Sequence, residues 1–283
     1  MHDQFEHCAG VVRDRDRDRY IATLFAPEAT RGALFALYAF GAEIARIRDV
    51  AREPIPGEIR LQWWREVLLG ERNGEAAANP VAAALLGTIA RYNLSRERLV
   101  ELIEAHRFDI YDEPMASVAE LQSYASKTDG TIFDMAARIL DEGIGPAVAP
   151  LAAEAGSVQT IANMLALLPR HSARRQLYLP LELLRHYGAA AEDIFALRTT
   201  AELRAVLAEF RLRARRHLNR IGETIVEIPT RAQAAFLPLA PLRLWLFAME
   251  RPDYDPFRPP EIAPWRRQWR IWRAARSPQR IGK

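Results

Sequence analysis

Two stretches of mainly apolar sequence, residues 31–49 and 156–180, contain a few basic residues. The basic side chains there that could contact a ligand are Arg46, Arg170, His171, Arg174 and Arg175. Guanidinium groups bind phosphate through charge-assisted, bidentate hydrogen bonds, and they need no metal ion to do so. If these side chains face a common cavity, they can bind a phosphate directly. The alternative is that these side chains are solvated or paired with acids such as Glu43 and Asp49.

Other kinds of site have no support in the sequence. The glycine-rich nucleotide motifs, the phosphate-loop lysine, His-Glu-x-x-His and Gly-x-Ser-x-Gly are all missing. The six histidines are scattered, and no two of them have the helical spacing that holds a metal ion. Cys8 is the only cysteine, which excludes an internal disulfide and a cysteine-based metal site. We expect no metal and no cofactor.

The elements that position these residues are predicted to be helices. Apolar residues recur every three or four positions, and the alternating runs typical of strands are almost absent. Ser95 has the side chain of a helix N-cap, and Pro180 and Gly188 bracket a short segment. Longer helices are predicted within residues 31–49, 59–69, 80–91, 117–140 (broken near Asp129-Gly130), 146–168, 200–227 and 230–251 (kinked at Pro238 and Pro241).

These helices predict one all-α domain over residues 18–251, because no internal repeat or linker divides that stretch. Residues 1–17 end in alternating Arg and Asp and are predicted to be a flexible N-terminal arm. Residues 252–283 are predicted to be a proline-rich linker followed by a basic, tryptophan-rich tail.

The tail is amphipathic if it is helical. Trp265, Trp269 and Trp272 are four and three positions apart, so a helix places them on one face. The basic residues between them are Arg266, Arg267, Arg270 and Arg273. Trp and Arg together are typical of a helix that lies at a membrane interface or binds an acidic partner. The alternative is that the Trp stripe packs on the domain as core.

The overall charge is a weak guide to partners. The formal net charge is +3, and only Lys127 and Lys283 among the 39 basic residues are lysines. No basic patch recurs along the chain, so we expect no binding of nucleic acid. No apolar run reaches the ~18 residues of a membrane span, and the first residues lack the features of a targeting segment. We expect a cytoplasmic protein that can lie peripherally at the inner membrane.

Motifs in three stretches follow one another in a recognisable order. Residues 31–49 contain Ala-Leu-Tyr-Ala-Phe, residues 106–124 contain His-Arg-Phe-Asp and Leu-Gln-Ser-Tyr, and residues 156–180 end in Tyr-Leu-Pro. Together they resemble the squalene/phytoene synthase family over about residues 18–250. The resemblance implies an isoprenoid-synthase-like helical bundle around a central cavity. It also implies ligand contacts from Arg107, Asp109, Tyr124 and Asn163.

The two acidic boxes of that family imply chemistry assisted by Mg²⁺. Mg²⁺ neutralises a diphosphate leaving group, and it needs several carboxylate oxygens to be held. Here the first box aligns with Ala45, Arg46 and Asp49, and the second with Leu167, Arg170 and His171. One acid among these positions predicts no magnesium cluster and no catalytic residues of the family type. Mg²⁺ is expected only if a transferase with a degenerate metal site remains.

The same replacements resemble one branch of the family that lacks the boxes and acts as an assembly factor for respiratory complex I. The similarity is carried by residues 35–49, by Gln62-Trp63-Trp64 and by residues 169–175. It implies a binding or assembly role, with complex I subunits or inner-membrane lipids as partners.

Three hypotheses of function follow. The first is a non-catalytic binding or assembly protein near the membrane. The second is a prenyl-diphosphate transferase of the squalene/phytoene synthase type with a degenerate metal site. The third is a protein that binds an isoprenoid or lipid phosphate, with the phosphate on the arginines of the altered boxes. The lost carboxylates favour the first hypothesis over an enzyme.

Overall fold

The computed structural model describes residues 2–51, 53–111 and 113–283. It is 76% helical, and no described residue lies in a strand, which confirms the all-α prediction. In chain order the α-helices are α1 (His2–Arg15), α2 (Arg17–Thr23), α3 (Glu28–Ala45), α4 (Ile47–Val50), α5 (Pro54–Leu69), α6 (Asn73–Ala78), α7 (Pro80–Tyr92), α8 (Arg96–Ala105), α9 (Val118–Ala125), α10 (Thr131–Leu140), α11 (Val148–Ala166), α12 (Leu168–Ala173), α13 (Leu181–Tyr187), α14 (Ala191–Phe195), α15 (Ala201–Thr224), α16 (Thr230–Gln233), α17 (Leu242–Ala248) and α18 (Pro264–Arg276).

Helix α11 forms the centre of the bundle. Its buried residues include Ala155, Thr160 and Ile161, which lie on different sides of the helix. It packs on α15 and on α10. A helix buried around most of its circumference needs no polar face, and residues 146–168 are apolar enough for this central position.

Helix α3 forms a second layer. Its buried stretch runs from Ala33 to Phe40, and it packs on α1, α7 and α10. Helix α8 packs on α5 and on the turn before α10. Helix α10 therefore joins the α3 layer to α11, and a space remains between α3, α8 and α11.

The N-terminal residues are not the flexible arm that was predicted for residues 1–17. Helix α1 packs on α3 and α7 and fully buries Cys8 and Val12. Burial raises the pKa of the Cys8 thiol to about 12, and the nearby Glu43 carboxylate adds to the rise. The prediction was wrong because Phe5, Cys8 and Val12 recur at helical spacing, and their burial outweighs the charged residues that follow. Met1 lies outside the described residues.

Local signals placed several helix ends correctly. The Ser95 hydroxyl accepts a hydrogen bond of 3.2 Å from the Arg98 backbone N–H and caps α8. Gly188 ends α13 with a φ of +70°, a conformation that favours glycine. The predicted kink in residues 230–251 is a 3-10 turn at Ala234–Leu239 that contains Pro238.

Residues 117–140 form a continuous helical path where a break was predicted near Asp129-Gly130. The backbone of Ser126–Gly130 is π-helical and joins α9 directly to α10. Gly156 of α11 lies against this turn, since a Cβ there would be 2.5 Å from Gly130 N. The extra residue of a π turn changes which side chains face inward, and such turns are frequent at functional sites.

Residues 252–283 are docked on the domain. Helix α18 packs on α2 and on the turn Ala234–Leu239, and it buries Ile271 and Ala274. Trp265 and Trp269 are 67% and 50% exposed, so the Trp stripe is not the core. Tyr254 in the proline-rich stretch is buried as well. The separate linker and tail that were predicted are thus part of one packed body.

No helix among the described residues is long and apolar enough to cross a lipid bilayer.

Candidate functional site

A cavity of about 280 Å³ lies between α3, α8, α10 and α11. Its apolar lining includes Val12, Leu102, Ile132 and Met164. Ligand pockets are usually ~300–1,000 Å³, so this one is small for two long prenyl chains at once. The polar side chains around it form two hydrogen-bonded groups and a basic rim.

The first group is built around the buried carboxylate of Asp109. Tyr178 donates a hydrogen bond of 2.7 Å to its Oδ1, and Tyr124 lies 3.0 Å from both carboxylate oxygens. His106 Nδ1 lies 2.6 Å from Oδ2. Burial, and then the charge of Asp109, raise the pKa of both tyrosines well above its ordinary value. Both hydroxyls therefore remain protonated donors at neutral pH, and the carboxylate is satisfied by protein groups.

The second group pairs Arg19 with Asp129. Arg19 Nη2 donates to Asp129 Oδ1 at 3.1 Å, and Thr160 Oγ1 donates to Oδ2 at the same distance. The Arg19 guanidinium also lies 5.4 Å from the centre of the Tyr38 ring, within cation–π range. The pair joins α2, the π turn and α11 across one side of the cavity.

The two altered boxes meet in an ion-pair cluster. Asp49 of α4 accepts a hydrogen bond of 2.7 Å from Arg174 Nη1, and its Oδ1 also contacts Arg170 Nη2. The Asp49 side chain is 17% exposed. A single carboxylate thus holds two guanidinium groups, and the contact joins the first box to the second without a metal ion. For Arg170 and Arg174 the structure shows the alternative, because both side chains pair with Asp49.

His171 points toward the same region as a neutral group. Its ring centre lies 4.5 Å from that of Tyr178. Burial lowers the pKa of His171 to about 4. A neutral imidazole can accept or donate a hydrogen bond, but it adds no positive charge for a phosphate at pH 7.

A basic rim lies where the cavity meets an outer hollow of about 440 Å³. Arg15 and Arg46 line both spaces, and Arg60 lines the hollow. All three side chains are exposed, and none makes an ion pair or hydrogen bond to another described residue. Burial raises the pKa of Glu43, the acid in this hollow. The rim is the part of the site with cationic donors available to an anion.

The structure brings many of the predicted site residues to this cavity. Its lining includes Ala45, Arg46, Asp109, Tyr124, Asn163, Leu167 and His171. Arg107 does not reach it, because Arg107 binds Glu58 and Glu104 on the surface. Arg175 has a positive φ of 55° and pairs with Glu192 instead. The expectation that these two arginines contact a ligand in the cavity is wrong for this geometry.

Sequence reasoning missed several residues of the site. Arg15 was placed in a flexible arm and Asp129 at a helix break, and Arg19 was not singled out. Their roles depend on contacts such as Arg19–Asp129, which joins residues 110 positions apart. The helical spacing of Cys8 and Val12 was the one signal that could have placed α1 on the domain.

The carboxylates do not fit a magnesium cluster. Asp49 is occupied by two arginines, while Asp109 and Asp129 are bound to tyrosines and to Arg19. In the described part of the chain, no three His, Cys, Asp or Glu side chains converge as a metal site. Mg²⁺ needs several oxygen ligands in octahedral positions, and these carboxylates do not supply them.

The fold and the box positions define a class of protein. The family model for squalene/phytoene synthase matches residues 12–273, and the chain belongs to this family. The resemblance noted in the sequence is confirmed.

Individual relatives are of two kinds. The human NADH dehydrogenase (ubiquinone) complex I, assembly factor 6, is 28% identical over 254 residues, covering 89% of this chain and 76% of the relative. The 15-cis-phytoene synthase of Synechococcus elongatus is 24% identical over 281 residues, covering 94% and 91%. A crystal structure of a dehydrosqualene synthase in complex with ligand superposes with a TM-score of 0.83 at 18% identity, covering 98% and 96%, which confirms the isoprenoid-synthase-like fold.

Proposed function

We propose that this chain is a non-catalytic member of the family that assists the assembly of respiratory complex I. The observation that carries the proposal is the contact of Asp49 with both Arg170 and Arg174. Two cations stand where diphosphate chemistry would need a metal held by acids. Positive charge at that point repels Mg²⁺, and the remaining carboxylate is neutralised.

The relatives support the assembly role. The human protein named as a complex I assembly factor aligns with nine-tenths of this chain. Subunits of complex I are therefore the proposed partners, and the cytoplasmic side of the inner membrane is the proposed location. The cavity then serves as a structural element or a ligand site of the assembly factor.

A turnover assay tests the loss of catalysis. The purified chain is incubated with farnesyl or geranylgeranyl diphosphate, with Mg²⁺ and NADPH, and the organic extract is analysed by mass spectrometry. We expect no head-to-head product, while a phytoene synthase run in parallel forms one. A product that depends on Mg²⁺ would support the transferase hypothesis and overturn the proposal.

A gene deletion in the source cells tests the assembly role. We expect less assembled complex I on a native gel and a lower rate of NADH oxidation by isolated membranes. The intact chain should restore both, and a catalytically active phytoene synthase should restore neither. Normal complex I in the deletion strain would contradict the assembly role without affecting the assay of catalysis.

A second candidate function is binding of an amphiphilic phosphate without a metal ion. Arg15 and Arg46, which form no ion pair with another described residue, lie between the cavity and the hollow and could hold a phosphate whose chain enters the apolar cavity. Calorimetric titration with farnesyl phosphate in EDTA should show binding that Arg15→Gln/Arg46→Gln removes. Arg185→Gln, at an exposed position of α13, is the control. Absence of binding, or binding only with Mg²⁺, would exclude this candidate.

A further inference from the structure

Helix α18 is held rigidly on the domain by one face. Ile271 and Ala274 are fully buried on that face. Arg267 Nη2 lies 2.7 Å from Asp18 Oδ2, and the Arg267 guanidinium sits 5.9 Å from the centre of the Trp245 ring. The orientation of the helix is therefore fixed by packing and by an ion pair, and its opposite face is presented to the outside.

The outer face of α18 carries indole rings. At 3.6 residues per turn, Trp265 and Trp269 lie opposite Ile271 and Ala274, and the half-buried Trp272 lies at the edge of that face. Trp269 and Trp272 stack with their ring centres 4.7 Å apart, and Trp265 is 67% exposed. Large indoles on a fixed, outward-facing stripe are unusual for a surface that contacts only water.

A basic pocket of about 380 Å³ flanks this stripe. Its lining consists of Arg270, Arg273, Ser277, Gln279, Arg280 and Lys283. Of the side chains that the structure describes there, none is acidic. Residues 264–283 contain seven basic residues and no acidic one. No acidic side chain close in sequence therefore neutralises the basic pocket.

Closely packed backbone forms one wall of the pocket. Its far wall is the 3-10 turn Pro278–Gly282, which lies directly on α15. A Cβ on Gly222 would be 2.8 Å from Gly282 Cα, so the two backbones touch. Arg270 Nη2 donates a hydrogen bond of 2.6 Å to the Lys283 carbonyl oxygen. Burial, and then the positive charges of Arg243 and Arg273, lower the pKa of Arg270, as expected where like charges converge.

We propose that α18 and the turn that follows it form a membrane-docking surface for anionic phospholipids. The phosphate headgroup lies in the pocket between Arg270, Arg273 and Arg280. Trp265 and Trp269 enter the boundary between headgroups and acyl chains. This surface is separate from the cavity, and it could bind lipid whether or not the chain assists assembly of complex I.

An anionic lipid surface matches both the indole rings and the basic pocket of this face. Indoles prefer the membrane interface because their ring is apolar and their N–H is polar. Guanidinium groups match phosphate oxygens, and each basic residue near an anionic leaflet contributes attraction that salt weakens. An acidic protein surface would match the charges but would leave the exposed indoles without an apolar layer.

Vesicle flotation with the full chain tests the proposal. We expect binding to phosphatidylcholine vesicles that contain phosphatidylglycerol, little binding to phosphatidylcholine alone, and weakening as salt rises. Arg273→Gln/Arg280→Gln should lower partitioning roughly 30-fold, since each charge contributes about a factor of five to six. Neither side chain makes an ion pair or hydrogen bond in the described structure, so the fold should persist.

Two further variants separate the alternatives. Lys127→Gln/Arg185→Gln removes the same charge from exposed positions on other elements and should bind almost as the parent chain does. Trp265→Ser/Trp269→Ser should lose binding to the anionic vesicles with its charge unchanged. Equal loss in the Lys127/Arg185 control would mean an effect of net charge alone. Full binding by the Trp variant, or by Arg273→Gln/Arg280→Gln, would overturn the proposal.

Discussion

Arg174 and Asp49 are 125 positions apart in the chain, yet Arg174 Nη1 donates a hydrogen bond of 2.7 Å to Asp49 Oδ1. The contact connects the residues that follow the second box to Asp49 of the first. Arg170 converges on the same carboxylate oxygen. In a family whose boxes are expected to share metal ions, this chain uses direct ion pairs between the same two places.

Asp49→Asn should destabilise the fold by about 1 to 2 kcal/mol. The amide cannot balance two guanidinium groups, which then repel each other in a half-buried place. Urea unfolding followed by circular dichroism measures the change. Arg175→Gln is the control, because its pair with Glu192 is 3.5 Å long and exposed, and it should cost less than about 0.5 kcal/mol. Unchanged stability of Asp49→Asn would show that Arg170 and Arg174 are available to a ligand.

Gly156→Ala should destabilise the fold by about 2 kcal/mol or more. A Cβ there would lie 2.5 Å from Gly130 N and 2.6 Å from the Ala125 carbonyl oxygen, so α11 must move away from the π turn. Gly87→Ala, at an exposed position of α7, meets nothing within 4 Å and should instead stabilise by about 0.5 to 1 kcal/mol. Thermal unfolding of the two variants compares them, and equal effects would mean that the contact with the π turn is not tight.

Much of the fold could be predicted because its signals are local. The Ser95 cap, the Gly188 end of α13 and the kink at Pro238 each depend on a few neighbouring residues. The apolar composition of residues 146–168 is typical of a central helix, and α11 lies at the centre. Helix α1 was missed because the Arg and Asp run that follows it is a strong signal for a solvated arm, and it obscured the spacing of Cys8 and Val12.

The site could be predicted only where the family motifs lie. Asp109, Tyr124 and Asn163 were placed from the resemblance, and all three line the cavity. Which cations stay unpaired was beyond sequence reasoning. Arg170 and Arg174 are neutralised by Asp49, whereas Arg15 and Arg46 remain on the rim. That distinction depends on distances between residues far apart in the chain, and one sequence contains no record of them.

Asp109→Asn should cost about 2 to 3 kcal/mol. The carboxylate accepts hydrogen bonds from Tyr124 and Tyr178, and an amide places an N–H₂ group against one of these donors. Asp14→Asn is the control, since Asp14 is exposed and its contact with Arg13 is 3.5 Å long. Chemical denaturation measures both. A loss below about 0.5 kcal/mol for Asp109→Asn would mean that water satisfies the two tyrosines equally well.

The stability of the chain should depend on pH through His171. Burial lowers the pKa of His171 to about 4, whereas an unfolded histidine titrates near ~6.5. Between these values the unfolded chain binds a proton that the folded chain does not, so stability falls as the pH drops from about 6.5 toward 4. The loss should be on the order of 1 to 3 kcal/mol, and urea unfolding at a series of pH values measures it. His171→Gln should flatten this part of the profile, and His186→Gln, at an exposed position, should leave it unchanged. A profile that keeps its slope in His171→Gln would assign the titration to another group and would leave His171 free to be charged in the cavity.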